Sequence, residues 1–182
     1  MKQWNCRLAK MTDAKALVTL QVDCTHKLGF AFYSDFELDS YIREVGTLDI
    51  SLIHRRTYYV VEHEGHIVGC GGWSDRPPHY GKYLDSEELA VHHPKIRAFF
   101  VHPDYARQGI GSALMAYVEA DIRRAGYDCV ELTAMLSGVT FYRSLGYRKT
   151  GNAAVELSNG AYLPAIEMGK RFNEEEITAP TL

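Results

Sequence analysis

Apolar residues recur at helical spacing in the segment 108–125, at Ile110, Leu114, Val118 and Ile122. Positions four apart lie on one side of a helix, so the pattern predicts an amphipathic helix with one buried face. Arg123 and Arg124 suit its last turn, where cations interact favourably with the helix dipole, and Gly126 suits its end.

Runs of β-branched and aromatic residues predict the strands. Residues 57–63 and 66–73 flank Glu64-Gly65, which is typical of a β-hairpin because the turn needs a residue that tolerates positive φ. Residues 155–168 predict a second hairpin around Asn159-Gly160. Further strands are predicted over residues 3–9, 95–101, 129–134 and 147–150.

Polar caps and glycines delimit the remaining helices. Thr12 or Asp13 can cap a helix that runs through Leu20, because a short polar side chain accepts the unpaired N–H groups of a first turn. A second helical stretch is expected over residues 37–55, with Gly46 as the point of any interruption, and a short helix over residues 139–145. The order β-α-α-β-β-β-α-β-α-β-β predicts an α/β (α+β type) domain in which helices cover a mixed sheet.

Length and charge narrow the class of protein. A chain of 182 residues with 46% hydrophobic and 24% charged content is expected to form one domain over residues 1–182, with residues 173–182 as a polar tail. The net charge of −3 and the pI of 6.2 give no basic footprint for nucleic acid. No apolar run approaches the about 20 residues of a membrane-spanning helix, and the first residues lack a signal peptide's apolar core. We therefore expect no membrane partner and a cytoplasmic location.

Cysteine and histidine spacing gives no sign of a metal site. The four cysteines stand far apart, without a Cys-x-x-Cys pair, and are expected to be reduced thiols in the core. His92 and His93 adjoin, but neighbouring side chains of a strand point in opposite directions and do not readily share a metal. We predict that the protein binds no metal.

The start of the helix at 108–125 carries the candidate chemistry. A strand, a short loop and the run Arg107-Gln108-Gly109-Ile110-Gly111-Ser112 bring unpaired backbone N–H groups and the positive end of a helix to one point, which favours a phosphate. Gly109 and Gly111 have no Cβ to obstruct a pyrophosphate, and Arg107 adds a positive charge. Glycines that only pack the helix against the sheet are the structural alternative.

A dinucleotide-binding fingerprint, Gly-x-Gly-x-x-Gly, is a rival interpretation. Its third glycine would be Leu114, and a loop separates the strand from Gly109, whereas that fingerprint turns directly off its strand. Glu131 lies about twenty residues further on, but within a predicted strand rather than at its carboxyl end. The sequence therefore disfavours the dinucleotide interpretation.

Two segments together resemble a known family. The run Ile96-Arg-Ala-Phe-Phe-Val-His-Pro-Asp-Tyr-Ala-Arg-Gln-Gly-Ile-Gly-Ser-Ala-Leu-Met115 resembles the central cofactor motif of the GNAT N-acetyltransferase superfamily, and Phe141-Tyr-Arg-Ser-Leu-Gly-Tyr147 resembles its later motif. The resemblance implies the GNAT fold, a mixed and mostly antiparallel sheet of about seven strands with helices on both faces. It also implies a transferase with acetyl-CoA as acyl donor and a small-molecule or peptide amine as acceptor.

The resemblance assigns roles to individual residues. It implies that the CoA pyrophosphate is held beside Arg107 by the backbone N–H groups of Gln108, Gly109, Ile110, Gly111 and Ser112. It implies that the pantetheine arm pairs with the main chain of Phe99, Phe100 and Val101, and that Tyr142 is the general acid near the thioester sulfur. Two positions depart from the family pattern: Ala106 stands where Arg or Gln is usual, and Ser137 where a pantetheine-binding Asn is frequent.

The chemistry also requires a proton acceptor. An amine must be neutral to attack a carbonyl, and an amine with a pKa of ~10.4 is neutral in only about one molecule in a few thousand at pH 7. As the intermediate collapses, a phenol with an ordinary pKa of ~10 can protonate or hydrogen-bond the departing thiolate, so no covalent enzyme intermediate is required. Candidate proton acceptors, each also an ordinary surface group, are Glu62, Asp75, His79, Glu88, His92 and His93.

The acceptor side has weaker signals. The long connection at residues 74–94 is a candidate substrate lid. Arg97 alternates with Phe99 and Val101, so it could face the acceptor and contact a substrate carboxylate; exposure at the start of the strand is the alternative. A cluster of aromatic residues comprises Phe30, Phe32, Tyr33, Phe36 and Tyr41. This cluster could form an apolar pocket for the acceptor, or it could fill the core.

Two other functions stay open at this point. One is a CoA-binding module without catalysis, and the other is a small-molecule or nucleotide-binding domain that does not bind CoA. The identity of the amine is open, and the hairpin at residues 155–168 could add strands across a homodimer.

Overall fold

The computed structural model describes residues 4–46, 48–76 and 93–172. Its strands are β1 (Trp4–Leu8), β2 (Tyr58–His63), β3 (His66–Ser74), β4 (Lys95–Val101), β5 (Cys129–Met135), β6 (Arg148–Glu156) and β7 (Tyr162–Arg171). Its helices are α1 (Ala14–Gly29), α2 (Asp35–Glu44), α3 (Ile50–His54), α4 (Ile110–Arg124) and α5 (Val139–Ser144). Short 3-10 turns cover Met11–Asp13, Pro103–Tyr105 and Leu136–Gly138.

The seven strands form one sheet in the order β1-β2-β3-β4-β5-β7-β6. Every neighbouring pair is antiparallel except β4 and β5, which are parallel. In that pair only Lys95, the first residue of β4, and Glu131, the third residue of β5, are in register. The strands therefore separate towards their carboxyl ends, which is where parallel neighbours in a sheet commonly bind ligands.

Helices cover both faces of the sheet, as predicted. On one face, Leu114, Val118 and Ile122 of α4 pack in a core cluster with β2, β3 and β5. On the other face, α1 and α3 bury a second cluster around Tyr58 and Val60, and α2 packs against β6 and β7. The predicted α/β (α+β type) class and the mixed sheet are confirmed.

Helix α1 is longer than the sequence pattern predicts. It continues past Leu20 to Gly29, and its buried face includes the polar residues Gln21 and Thr25. These polar residues at buried positions interrupt the apolar spacing, which is why the predicted end was wrong. The carboxylate of Asp13 does not cap this helix.

Glycines end or turn the elements where the sequence predicts it. The stretch predicted over residues 37–55 divides into α2 and α3 at Gly46, whose φ is +79°. The hairpin turns contain Gly65 at φ +79° and Gly160 at φ +86°, so both predicted hairpins are confirmed. Strands β6 and β7 are longer than predicted, because the two pair along their whole length.

All four cysteines, Cys6, Cys24, Cys70 and Cys129, are free thiols. Within the described residues no group of three or more His, Cys, Asp or Glu could hold a metal ion. No helix in the same part of the chain has the length and apolar character needed to cross a membrane. Most of the expected lid, residues 77–92, and the expected tail, residues 173–182, lie outside the described residues.

Candidate active site

A cleft of about 760 Å³ opens where β4 and β5 separate. This volume is within the usual range for small-molecule sites. One part, here called the α4 half, is lined by Phe99, Phe100, Val101, Arg107, Gly109, Gly111, Ser112, Ser137, Gly138 and Tyr142. The other part, here called the α1 half, is lined by Cys24, Thr25, Leu28, Tyr33, Leu38, Tyr41, Asp49 and Arg97.

Most of the predicted site residues meet in the α4 half, but two do not line it with a side chain. Ile110 is 2% exposed and belongs to the core. Gln108 is exposed and its Nε2 donates to the carbonyl oxygen of Asp104 at 3.4 Å. Only the backbone groups of these two residues are therefore candidates for ligand binding.

The first turn of α4 leaves its N–H groups outside the helical hydrogen-bond ladder. The ladder starts with the N–H of Ala113, which donates to the carbonyl oxygen of Gly109 at 3.0 Å. The N–H groups of Ile110, Gly111 and Ser112 precede that bond and, with the helix dipole, form a site suited to an anion. Arg107 and Gly109, at φ +62° and +82°, give the chain its turn into the helix.

Gly109 and Gly111 are glycine for different structural reasons. A Cβ at Gly109 would meet nothing within 4 Å, so its left-handed φ is what requires glycine. A Cβ at Gly111 would lie 3.0 Å from Cε2 of Phe141. Gly111 therefore also packs α4 against α5, and the structural alternative for the glycines holds in part.

A β-bulge reshapes the strand β4 beside the cleft. Ala98 has φ +47°, and the register with β3 shifts between Cys70 and Gly72. The hydroxyl of Tyr58 donates to the carbonyl oxygen of Ala98 at 2.9 Å, and Nε2 of Gln21 donates to that hydroxyl at 2.6 Å. This buried chain of hydrogen bonds holds the bulge from the α1 side of the sheet.

The bulge breaks the side-chain alternation on which the prediction for Arg97 depended. Ile96, Phe99 and Val101 all pack with the α4 cluster. Because Arg97 follows Ile96 in an extended strand, it faces the opposite side, towards α1. The expectation that Arg97 shares a side with Phe99 and Val101 was wrong, and so was its exposed alternative: Arg97 is 7% exposed and lines the α1 half.

Tyr142 sits in the α4 half within a group of aromatic rings. It is 9% exposed, and its ring lies edge-on to Phe99, Phe141 and Tyr147 at centroid distances of 6.3, 5.3 and 5.8 Å. A Cβ at Gly138 would lie 3.0 Å from Cε2 of Tyr142, so this glycine makes room for the ring, a role the sequence analysis missed. Burial raises the pKa of Tyr142 well above its usual value, which keeps the phenol protonated and able to donate.

Tyr33 positions the turn that carries Ser137. Its hydroxyl accepts a hydrogen bond from the N–H of Leu136 at 2.9 Å and donates to the carbonyl oxygen of Pro164 at 2.7 Å. Tyr33 and Tyr41 both line the cleft. The aromatic-pocket prediction was wrong for the other members of its cluster, which are exposed at the surface: Phe30 (72%), Phe32 (51%) and Phe36 (58%).

The predicted proton acceptors that the structure describes lie outside the cleft lining. Glu62 pairs with Arg7 at 2.6 Å, which lowers the pKa of that carboxyl. Asp75 pairs with Arg55 and accepts from the hydroxyl of Tyr127 at 3.2 Å. His93 is exposed, with Nδ1 3.6 Å from Sγ of Cys129.

The other three predicted acceptors, His79, Glu88 and His92, fall outside the described residues. Among the residues described, Asp49 is the one carboxylate in the cleft lining. It is the N-cap of α3, where Oδ1 accepts from the N–H of Ser51 at 3.0 Å. The sequence signal was an Asp before a helix start, which indicates a cap and says nothing of a cleft.

Comparison with known proteins agrees with this architecture. The family model described as acetyltransferase (GNAT) domain matches residues 54–149, which include β4, the first turn of α4, and α5. The chain therefore belongs to the GNAT acetyltransferase family. The dinucleotide interpretation is wrong: the loop from Val101 to Gly109 includes a 3-10 turn, and Glu131 lies inside β5.

Individual relatives share parts of the chain or its fold. Human N-acetyltransferase 8 is 33% identical over 101 residues, which are 53% of this chain and 40% of that protein, so the chain spans less than half the length of this curated relative. A GCN5-related N-acetyltransferase structure from Rhodopseudomonas palustris has a TM-score of 0.73 at 20% identity, covering 94% of this chain and 98% of that one. The PaiA N-acetyltransferase of Thermoplasma acidophilum, in complex with coenzyme A, has a TM-score of 0.70 at 15% identity, covering 93% and 99%. These structural likenesses show the fold.

Proposed function

We propose that this protein transfers the acetyl group of acetyl-CoA to a primary amine by direct attack in a ternary complex. The observation that carries the proposal is the position of the anion site at the start of α4, which opens into the same cleft as Tyr142. A phosphate-bearing donor bound there would lie along the α4 half, and an acceptor would enter through the α1 half. Family membership supports the reaction class.

Backbone groups on two elements would hold the donor. The N–H groups of residues 108–112, with Arg107 beside them, suit the pyrophosphate. On the side of β5, strand β4 pairs only at Lys95, so the main chain of Phe99, Phe100 and Val101 has polar groups available to an extended ligand. The pantetheine arm, which carries amide groups, can pair there, with Ser137 across the opening.

The reaction then needs only the transfer of one acetyl group and one proton. The neutral amine nitrogen attacks the thioester carbonyl, and the tetrahedral intermediate loses one proton from that nitrogen as it collapses. The C–S bond then breaks to give the amide and a thiolate, which ends as the thiol. Tyr142 donates a hydrogen bond or its proton to that sulfur. Because burial raises the pKa of Tyr142, hydrogen-bond donation is favoured over complete transfer.

At neutral pH the acceptor is mostly an ammonium ion, so a proton must leave it before its nitrogen can attack. Asp49 is the carboxylate that the described residues place in the α1 half, and we propose that it accepts this proton directly or through water.

Thermal unfolding with acetyl-CoA, and with NAD and ATP as controls, tests the donor. A ligand at ~100 times its Kd adds about 2.7 kcal/mol, which raises the Tm of a domain of this size by roughly 5–11 °C. A rise with acetyl-CoA alone, followed by amine-dependent release of thiol, is the expected result. Binding without turnover of any amine would indicate a CoA-binding module instead, and a response only to NAD would contradict the proposal.

Tyr142→Phe tests the general acid. The hydroxyl is needed only when the thiolate departs, so we expect kcat to fall about 10²- to 10³-fold with little change in acetyl-CoA affinity. The raised pKa also means that wild-type activity should show no loss from Tyr142 deprotonation up to about pH 10.

Tyr147→Phe is the matched control. Its hydroxyl is also buried, but it donates to Glu119 at 2.9 Å outside the cleft lining. We expect lower stability without the loss of kcat. Equal kcat in Tyr142→Phe and wild type would remove Tyr142 from the mechanism.

A further inference from the structure

The α1 half of the cleft contains a buried cation that forms no ion pair with any of the described residues. Arg97 is 7% exposed, and its Nε has no hydrogen-bond partner in the part of the chain that the structure describes. None of the ion pairs between described residues includes Arg97. A buried guanidinium is costly unless an anion and hydrogen-bond acceptors compensate it.

Resting on the proposed function, we infer that the acceptor is a small amine that carries a carboxylate, of the apolar α-amino acid class, and that Arg97 binds this carboxylate. A guanidinium presents parallel N–H donors that match the two oxygens of a carboxylate. Such a pair would both neutralise the buried charge and fix the orientation of the acceptor.

The bulge in β4 places the side chain of Arg97 in the α1 half, where we propose that the acceptor binds. The left-handed Ala98 separates Arg97, which faces α1, from Phe99, whose ring packs on the α4 side. The carboxylate would therefore bind in the α1 half, next to the strand that we propose holds the pantetheine arm. In an α-amino acid the amine and the carboxylate share one carbon, so anchoring the carboxylate directs the amine towards the thioester.

The same half offers an apolar surface for the rest of the acceptor. Leu28, Tyr33 and Leu38 also line it. Tyr33 already uses its hydroxyl in two hydrogen bonds to the backbone, so it presents mainly its ring. An apolar side chain on the amino acid would be buried against these residues.

Matched acceptors that differ only in the carboxylate test the inference. We would measure kcat and KM for L-phenylalanine and for 2-phenylethylamine with the wild type, Arg97→Lys and Arg97→Gln, after checking that each variant keeps its Tm shift with acetyl-CoA. We expect wild type to prefer the amino acid. Arg97→Gln should reduce that preference about 10- to 100-fold, mainly through the KM for L-phenylalanine, and Arg97→Lys should restore part of it.

Arg148→Gln controls for the loss of one positive charge, because Arg148 is exposed on β6 and does not line the cleft. It should leave the preference unchanged. A wild type that turns over 2-phenylethylamine as well as L-phenylalanine, or an Arg97→Gln variant with the wild-type preference, would overturn the inference while leaving the acetyltransferase proposal intact.

A binding measurement keeps the test independent of turnover. Calorimetric titration of wild type loaded with CoA should detect 3-phenylpropionate and not 3-phenylpropanamide, and Arg97→Gln should bind the acid at least ~10-fold more weakly. Equal binding of acid and amide by the wild type would contradict a carboxylate site. If acetyl-CoA and CoA do not bind, the proposed function fails, and the same titration on the unloaded protein still decides the role of Arg97.

Discussion

Substituting alanine for Gly109 separates ligand binding from backbone strain. Gly109 has φ +82°, and a Cβ there would contact nothing within 4 Å in the protein. Gly126, just beyond the other end of α4, has φ +93° and an equally open surrounding. Gly126→Ala therefore has the same two features as Gly109→Ala, but it does not line the cleft.

The expected cost to stability is similar for both variants. An L-residue in the left-handed region costs roughly 1–2 kcal/mol. For a domain of this size that lowers the Tm by about 2–8 °C. With no clash to add in either case, the two values of Tm should agree within a few degrees.

The effect on acetyl-CoA binding should differ. If the pyrophosphate approaches the backbone at Gly109, a Cβ obstructs it and weakens charge-assisted hydrogen bonds worth about 1.5–3 kcal/mol each. Isothermal titration should then show a Kd for acetyl-CoA about 10- to 100-fold higher for Gly109→Ala. For Gly126→Ala it should stay within about twofold of wild type, since Gly126 follows the opposite end of α4 and does not line the cleft. Equal affinity of the two variants would refute the assignment of the pyrophosphate to this turn.

Two further substitutions test the surroundings of the cleft. Tyr58→Phe removes the hydroxyl that donates to the carbonyl oxygen of Ala98. The free energy of unfolding, measured in urea, should therefore fall by about 1–3 kcal/mol. An unchanged value would mean that this hydrogen bond does not hold the bulge. Asp49→Asn keeps a good N-cap for α3, so the free energy of unfolding should stay close to that of wild type. The amide cannot accept a proton as the carboxylate does, so kcat/KM should fall about 10²-fold near pH 7. Wild-type turnover would exclude Asp49 as the proton acceptor.

Short-range signals were sufficient for the α4 half of the site. The apolar spacing of α4, the turn glycines of both hairpins and the run from Arg107 to Ser112 depend on residues that are neighbours in the chain. The interactions that shape them, such as a helix's first turn and a positive φ, are equally local. For that reason the fold class, the family and most residues lining the α4 half were predictable.

The α1 half depended on contacts between distant segments. Arg97 changes side because Ala98 bulges, and that bulge is held by Tyr58, 40 positions earlier in the chain. Asp49 reaches the cleft only because α3 packs beside β3, and no motif marks it. The exposure of Phe30, Phe32 and Phe36 and the burial of Gln21 and Thr25 on α1 were unpredictable for the same reason. Whether a side chain is buried depends on which helices and strands pack against it.

By itself, the sequence determined the order of the elements, the glycine-containing turn at the start of α4 and membership of an acetyltransferase family. Only the tertiary structure decided which side of β4 each side chain occupies, and so placed Arg97 and Asp49 in the α1 half of the cleft. The physical reason is that side-chain alternation along a strand is local until a bulge shifts it, and the bulge here is held by hydrogen bonds from another strand and a helix.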